Sequence, residues 1–255
     1  MGSQKTGMAD GVQPCGSGRM PPDAGELRRA SSGHDYDPGR CHRAVRGRNR
    51  GGQGLARGGL FDERPDQGYP RGIAMLTVAC VLKEGGVYDA SHVERLRKMA
   101  AENLSTPYRF VCVDDSPFPG FWAKISLFEL GRFQGRVIYL DLDVTVTGPL
   151  DDLASFPAPF VAIRDFINPG LNSSVMAWNA GIADHVYTRF TPDVMQRLHG
   201  DQNWITEQMP NAAKFPLGWC VSYRGGVQPR NRVPKSARVV VFHGRPNPWE
   251  VSLVA

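Results

Sequence analysis

The chain has 255 residues and a net charge of +5, and no apolar run approaches the ~20 residues needed to cross a bilayer as a helix. Its five cysteines, at 15, 41, 80, 112 and 220, are odd in number and lack CxxC spacing, which argues against a disulfide framework and against a zinc site. Residues 1–72 carry 12 Lys+Arg against 8 Asp+Glu and the remainder 18 against 17, so the basic excess is mostly a property of the N-terminal arm; the folded part offers no basic stripe, and nucleic acid is not an expected partner.

Residues 1–72 hold over half of the glycines, with Arg, Pro and Ser between them, and show almost no apolar periodicity. Such a segment cannot bury enough surface to offset chain entropy, so it reads as a disordered arm. A start assigned too far upstream would also explain it, since Met75 directly precedes the first convincing strand. Residues 73–255 are long enough for one domain with a real core. The N-terminus lacks the apolar stretch of a secretory signal, and the chain reads as soluble and cytoplasmic, with peripheral membrane attachment as the alternative.

Met75 to Leu82 predicts a first buried strand. Ser91 with Glu94 predicts a capping box, followed by a helical stripe of Val93, Leu96, Ala100 and Leu104. Tyr108 to Val113 predicts a second strand, Trp122, Ile125 and Phe128 a short helix, and Arg136 to Leu140 a third strand. Cys80 and Cys112 fall inside these strands as small hydrophobes. Phe160–Ile163 and Ser174–Trp178 read as strands and Ile182–Leu198 as helical, with Thr191-Pro192 as a fresh start. Asp201–Met209 predicts another short helix and Val239–Phe242 a last strand. Strand alternating with helix predicts an α/β domain with a largely parallel sheet, whose ligands bind beyond the carboxyl ends of the strands.

The most informative stretch is Val137-Ile138-Tyr139-Leu140-Asp141-Leu142-Asp143-Val144, an apolar strand that ends in acid. Alternation would point Asp141 and Asp143 to one side. Two carboxylates there repel each other unless a positive charge sits between them, and a hard divalent cation that also grips phosphate is the usual solution. Asp-x-Asp alone is weak, because Asp35-Tyr36-Asp37 has the same spacing in the arm. The strand before the pair and Val144-Thr145-Val146 after it give the motif its weight. A strand-end turn with solvated carboxylates is the plain alternative.

The ordered set Trp122-Ala123-Lys124, Ile138 to Asp143, Asn172-Ser173-Ser174, Asp201-Gln202 and Phe242-His243-Gly244-x-Pro-x-Pro-Trp resembles the nucleotide-sugar glycosyltransferases of GT-A fold, closest to the family 8, glycogenin-like and galactosyltransferase-like group, over about residues 75–250. The resemblance implies a metal held by Asp141, Asp143 and His243, with Mn²⁺ favoured and Mg²⁺ as the alternative. It implies that Thr77, Ala79 and Val81 line a base pocket through backbone contacts, that Tyr88 stacks on uracil, that Leu142 contributes to donor binding, and that Gly244 and Arg245 lie along the diphosphate. Lys124 would reach the donor, Asn172, Ser173 and Ser174 would contact the donor sugar or shape the acceptor side, and Asp201 and Gln202 would lie near the transferred sugar. Trp204, Trp219 and Trp249 are candidates for a sugar platform.

The implied activity is transfer of a sugar from a UDP-sugar, with retention, to a glycan, a lipid-linked glycan or a protein. Each residue also has a plainer reading: Lys124 as the wet face of its helix, His243 as a packed ring, Asp201 as a helix N-cap, Asn172 to Ser174 as a Ser-rich loop, and the tryptophans as core. A nucleotidyltransferase stays open, although Lys83-Glu84-Gly85-Gly86 is a poor phosphate loop. A non-catalytic nucleotide-sugar or glycan binder stays open as well.

Overall fold

The computed structural model describes residues 75–253. The arm expected at 1–72, with Asp35 and Asp37, lies outside the described residues. The elements that position the candidate site are β1 (Leu76–Val81), α1 (Ala90–Asn103), β2 (Tyr108–Val113), a 3-10 helix (Gly120–Phe128) and β3 (Arg136–Leu140). After these come β4 (Val144–Val146), α2 (Asp151–Ala154), β5 (Phe160–Arg164) and β6 (Leu171–Asn179). Three short helices follow, α3 (Asp184–Thr188), α4 (Pro192–Arg197) and α5 (Asp201–Gln208), and then β7 (Ala213–Lys214), β8 (Cys220–Ser222) and β9 (Val239–Val241).

The main sheet has the order β2-β1-β3-β6-β5-β7. β1 runs parallel to both β2 and β3, β6 lies antiparallel between β3 and β5, and β7 is parallel to β5. The sheet is therefore mostly parallel, as the alternation of strand and helix predicts. A second, three-stranded sheet, β4-β9-β8, was not foreseen. Val144–Val146 pairs with the distant Val239–Val241, so two short apolar runs that are individually ambiguous complete each other.

Strand alternation divides the core. Leu76, Val78 and Cys80 of β1 pack with Val93, Leu96 and Ala100 of α1, while Ala79 and Val81 turn to the opposite face with the 3-10 helix, α3 and α5. Burial on both faces is why β1 and β3 read as unbroken apolar runs. The helix start differs from the expected Ser91/Glu94 box: Asp89 is the N-cap of α1, and its partner in the capping box is His92. Asp201 likewise is the first residue of α5 after Gly200, not its cap.

The register of β5 on β6 jumps from Ala162↔Met176 to Ile163↔Asn172, so residues 173 to 175 bulge out of the ladder. The predicted Ser-rich loop at Asn172–Ser174 is therefore a bulged, largely buried part of a strand. Bulges re-aim side chains next to sites, and this one frees Ser173.

Gly135, just before β3, has φ +71°, and a Cβ there would stand 2.4 Å from the Met75 carbonyl oxygen. Both the left-handed backbone and the close approach require glycine. Both Gly135→Ala and Gly131→Ala are expected to lose about 1 kcal/mol in urea unfolding from their left-handed φ, and Gly135→Ala about 1–3 kcal/mol more, since only there does the Cβ meet backbone.

Candidate active site

Beyond β3 the chain turns, so Asp141 and Asp143 lie in a tight turn and not on an extended strand. The Asp141 backbone N–H is held by Ser174 O at 2.9 Å. Leu142 is buried beneath the turn, and Arg95 of α1 donates to the carbonyls of Leu142 (2.7 Å) and Val144 (3.0 Å). Arg95 thus clamps the acidic turn from below, a role no local pattern in the sequence signals.

The positive charge that two carboxylates require is present as a side chain. Lys124 Nζ lies 3.1 Å from Asp141 Oδ1, 3.1 Å from Asp201 Oδ2 and 3.0 Å from Ser173 Oγ. Ser173 Oγ donates in turn to Asp201 Oδ2 at 2.7 Å. Far from being the wet face of its helix, Lys124 is buried. Burial alone would favour the neutral amine, but Asp141 and Asp201 outweigh it and raise the pKa, holding the ammonium charged. Its three N–H groups face three acceptors, so Lys124 orients Asp141 and Asp201 and does not project toward a donor. Tyr139 of β3, two residues before Asp141, gives its hydroxyl to Asp141. Burial, then the Asp141 charge, pushes that phenol well up.

Asp143 has different company. Tyr88 OH donates to its Oδ2 at 3.0 Å. Burial first and the Asp141 charge second push Asp143 up to about 6, against an ordinary 3.8. The Tyr88 ring meets His92 and Trp249 edge-on, at centroid distances of 5.4 and 6.2 Å. Trp249, 46 % exposed, therefore stands beside the Tyr88 ring rather than with Trp204 and Trp219. Those two belong to the interior: the Trp204 indole N–H donates to Val186 O, and Trp219 packs on Phe156 and Phe215. The expected three-tryptophan platform does not form.

Asn172 spends its Oδ1 on the Ser174 N–H. Gln202 accepts from the Ser173 N–H at 3.4 Å and donates to Asp165 at 2.6 Å. Asp165 was missed in the sequence, since an acid in a loop carries no local signal of its partner. Of the expected base-pocket residues, Thr77 is fully buried and accepts from Arg109, and Ala79 is core with its backbone in two ladders. Pairing with β3 ends at Ala79, which leaves Val81 alone of the three near the strand's open mouth.

His243 is not gathered with the aspartates. Its Nε2 lies 2.7 Å from Ser222 Oγ, and its ring stacks on Phe166 at 5.9 Å. Burial and then the Arg224 charge lower its pKa, favouring the neutral ring that a metal needs. Among the described residues no three His, Cys, Asp or Glu side chains are placed to hold a metal ion. The expected three-ligand shell is therefore corrected to an acidic pair with a separate histidine, because Lys124 and Tyr139 already meet the charge of Asp141. The pair itself fits a hard cation, since among the described residues Asp143 has no ion-pair partner of its own and feels Lys124 and Arg95 only through space. Gly244 has φ +76° and approaches Arg224, and the Arg245 guanidinium is taken by Glu250 at 2.7 Å, not turned along a diphosphate path.

Removing Lys124 strands two carboxylates. Lys124→Met is expected to cost about 3–5 kcal/mol in urea unfolding at neutral pH, with part of the loss recovered in Lys124→Met/Asp201→Asn. Asp143 gives a pH signature in metal-free protein. An acid whose folded pKa is raised helps the fold only while protonated, so its contribution is lost as pH climbs from near 3.8 to about 6. Asp143→Asn should gain about 3 kcal/mol relative to the parent across that window, read by unfolding in chelator at each end.

No protein-family model matches the sequence, and no curated protein matches it either. Solved structures do. The glycosyltransferase GlyE of Streptococcus pneumoniae TIGR4 superposes with a TM-score of 0.53 at 15% identity, over 70% of this chain and 57% of its own. The apo bifunctional glycosyltransferase WbbM gives 0.51 at 12% identity, over 71% of this chain and 48% of its own. This chain spans less than two thirds of either, and at such identity the likeness is one of fold.

Proposed function

We propose that this protein is a metal-dependent glycosyltransferase that moves a sugar from a nucleoside-diphosphate sugar, UDP-linked and with retention, to a glycan, a lipid-linked glycan or a protein. The observation that carries this reading is the charge arrangement at the carboxyl end of β3. There a buried ammonium ties Asp141 to Asp201, while Asp143, hydrogen-bonded by Tyr88 and without an ion pair of its own among the described residues, lies at the open mouth of a sheet shared with glycosyltransferases.

Sugar transfer breaks the anomeric C–O bond and leaves its electron pair on the departing diphosphate. Mn²⁺, with Mg²⁺ as the alternative, is the cation proposed for Asp141 and Asp143; when bound it would neutralise that charge. Lys124 is a positioning residue that holds the carboxylates of Asp141 and Asp201 in place. Tyr88 and Val81 flank the space for the base. Ser173, Asp201 and Gln202 form the wall proposed for the transferred sugar, stiffened by Asp165.

The nucleotidyltransferase alternative loses ground because Lys83 Nζ donates to Ser116 O at 2.8 Å, so the Lys83–Gly86 turn does not present its cation to a phosphate.

A native-state ligand raises the melting temperature by mass action. UDP with Mn²⁺ is expected to raise it clearly, UDP alone less, and ATP little. An equal response to all nucleotides without metal dependence would remove the donor site. Turnover of a UDP-sugar panel separates a transferase from a passive binder, and Asp143→Ala should lower kcat by about 10²–10³.

A further inference from the structure

The even charge balance of residues 73–255 conceals a segregation that the expectation of no basic stripe overlooks. Residues 210–249 contain seven Lys or Arg and no Asp or Glu, whereas the rest of that span contains eleven against seventeen. Arg238 pairs with Asp152 and Arg245 with Glu250. Arg224, Arg230, Arg232 and Lys235 are all exposed, on the turns between β8 and β9. Among the described residues none of these four has a carboxylate partner. Arg224 donates to the Arg245 carbonyl and Arg230 to those of Gly225 and Gly226, which orients their charges without neutralising them.

Apolar side chains stand beside these cations. Leu217 is 85 % exposed and Ile167 77 %. The turn at Leu217 abuts the turn at Lys235, since a Cβ on Gly218 would lie 3.0 Å from Ser236 Oγ. Leu217 shares a cleft of about 230 Å³ with Phe166 and Phe215. Phe166 stacks on His243, and the next residue, Gly244, approaches Arg224. The basic turns and the apolar tips are thus joined through the His243–Gly244 turn.

We propose that this face docks on an anionic lipid surface, with Arg224, Arg230, Arg232 and Lys235 against the headgroups and Leu217 and Ile167 in the interface. Cations alone would suit any polyanion. The large exposed apolar side chains favour a lipid interface, which offers an apolar phase as well as negative charge, over RNA. The inference is independent of the proposed reaction, and its test reads no turnover.

The test is sedimentation of the full chain with phosphatidylcholine vesicles, with and without phosphatidylglycerol. Binding is expected only with phosphatidylglycerol and should weaken as salt rises. Arg232→Gln/Lys235→Gln leaves the hydrogen bonds of the turns in place and is expected to lower partitioning about thirtyfold; adding Arg230→Gln brings the loss to roughly 150-fold, from about fivefold per basic side chain. Leu217→Ser should weaken binding while keeping its salt dependence. Melting temperatures matching the parent's show that the variants are folded. Equal binding to pure phosphatidylcholine overturns the proposal. So does undiminished binding of the double variant, which would assign attachment to the basic residues of 1–72. Binding to poly(U) lost in the same variants, with vesicles unbound, would make the face an RNA surface instead.

Discussion

Burial of one ammonium group organises this molecule's functional end. Lys124 comes from the 3-10 helix, Asp141 from the turn after β3, Ser173 from the bulge of β6 and Asp201 from the start of α5. An isolated charge at that depth would be prohibitively costly, so these four elements must be placed together for the chain to fold. The arrangement also explains why the short helix before β3 is buried along its whole length from Trp122 to Phe128 and still carries a lysine.

The same constraint leaves the two acids of the turn unequal. Asp141 is met directly by Lys124 and Tyr139, whereas Asp143 takes a hydrogen bond from the Tyr88 hydroxyl and feels Lys124 and Arg95 only through space, too weakly to offset burial and the Asp141 charge. A folded protein that tolerates such a carboxylate at the mouth of its sheet is set up for an incoming positive charge. Arg95 keeps the turn from relaxing away from this strain by holding the carbonyls on either side of Asp143. Tyr88, His92 and Trp249 close the flank, so the C-terminal end of the described chain borders the same mouth.

Much of the frame was legible before any coordinates. β1, β2 and β3 fall where continuous apolar runs place them, and Val93, Leu96 and Ala100 form the buried stripe of α1. The small sheet was not legible, because three-residue runs such as Val144–Val146 acquire meaning only from a partner far along the chain. The bulge at 173 to 175 was hidden for a related reason, since serines in sequence look like a loop. Tyr139 was partly readable: a tyrosine two positions before Asp141 on a strand shares its face. Arg95, Asp165 and Ser222 had no such signal, and the basic block at 210–249 was readable but masked by averaging over the whole domain.

By itself, the order of residues determined the alternation of strand and helix, the burial of both sheet faces and the placement of acid at the end of β3. These follow from local periodicity and the limited reach of a backbone. Only the tertiary structure decided that Lys124 supplies the countercharge to Asp141, that Asp143 is left without an ion pair of its own, and that His243 rests on Ser222 and Phe166. Which charges meet depends on contacts between elements distant in sequence, and burial makes each such meeting compulsory or forbidden in a way no neighbouring residue encodes.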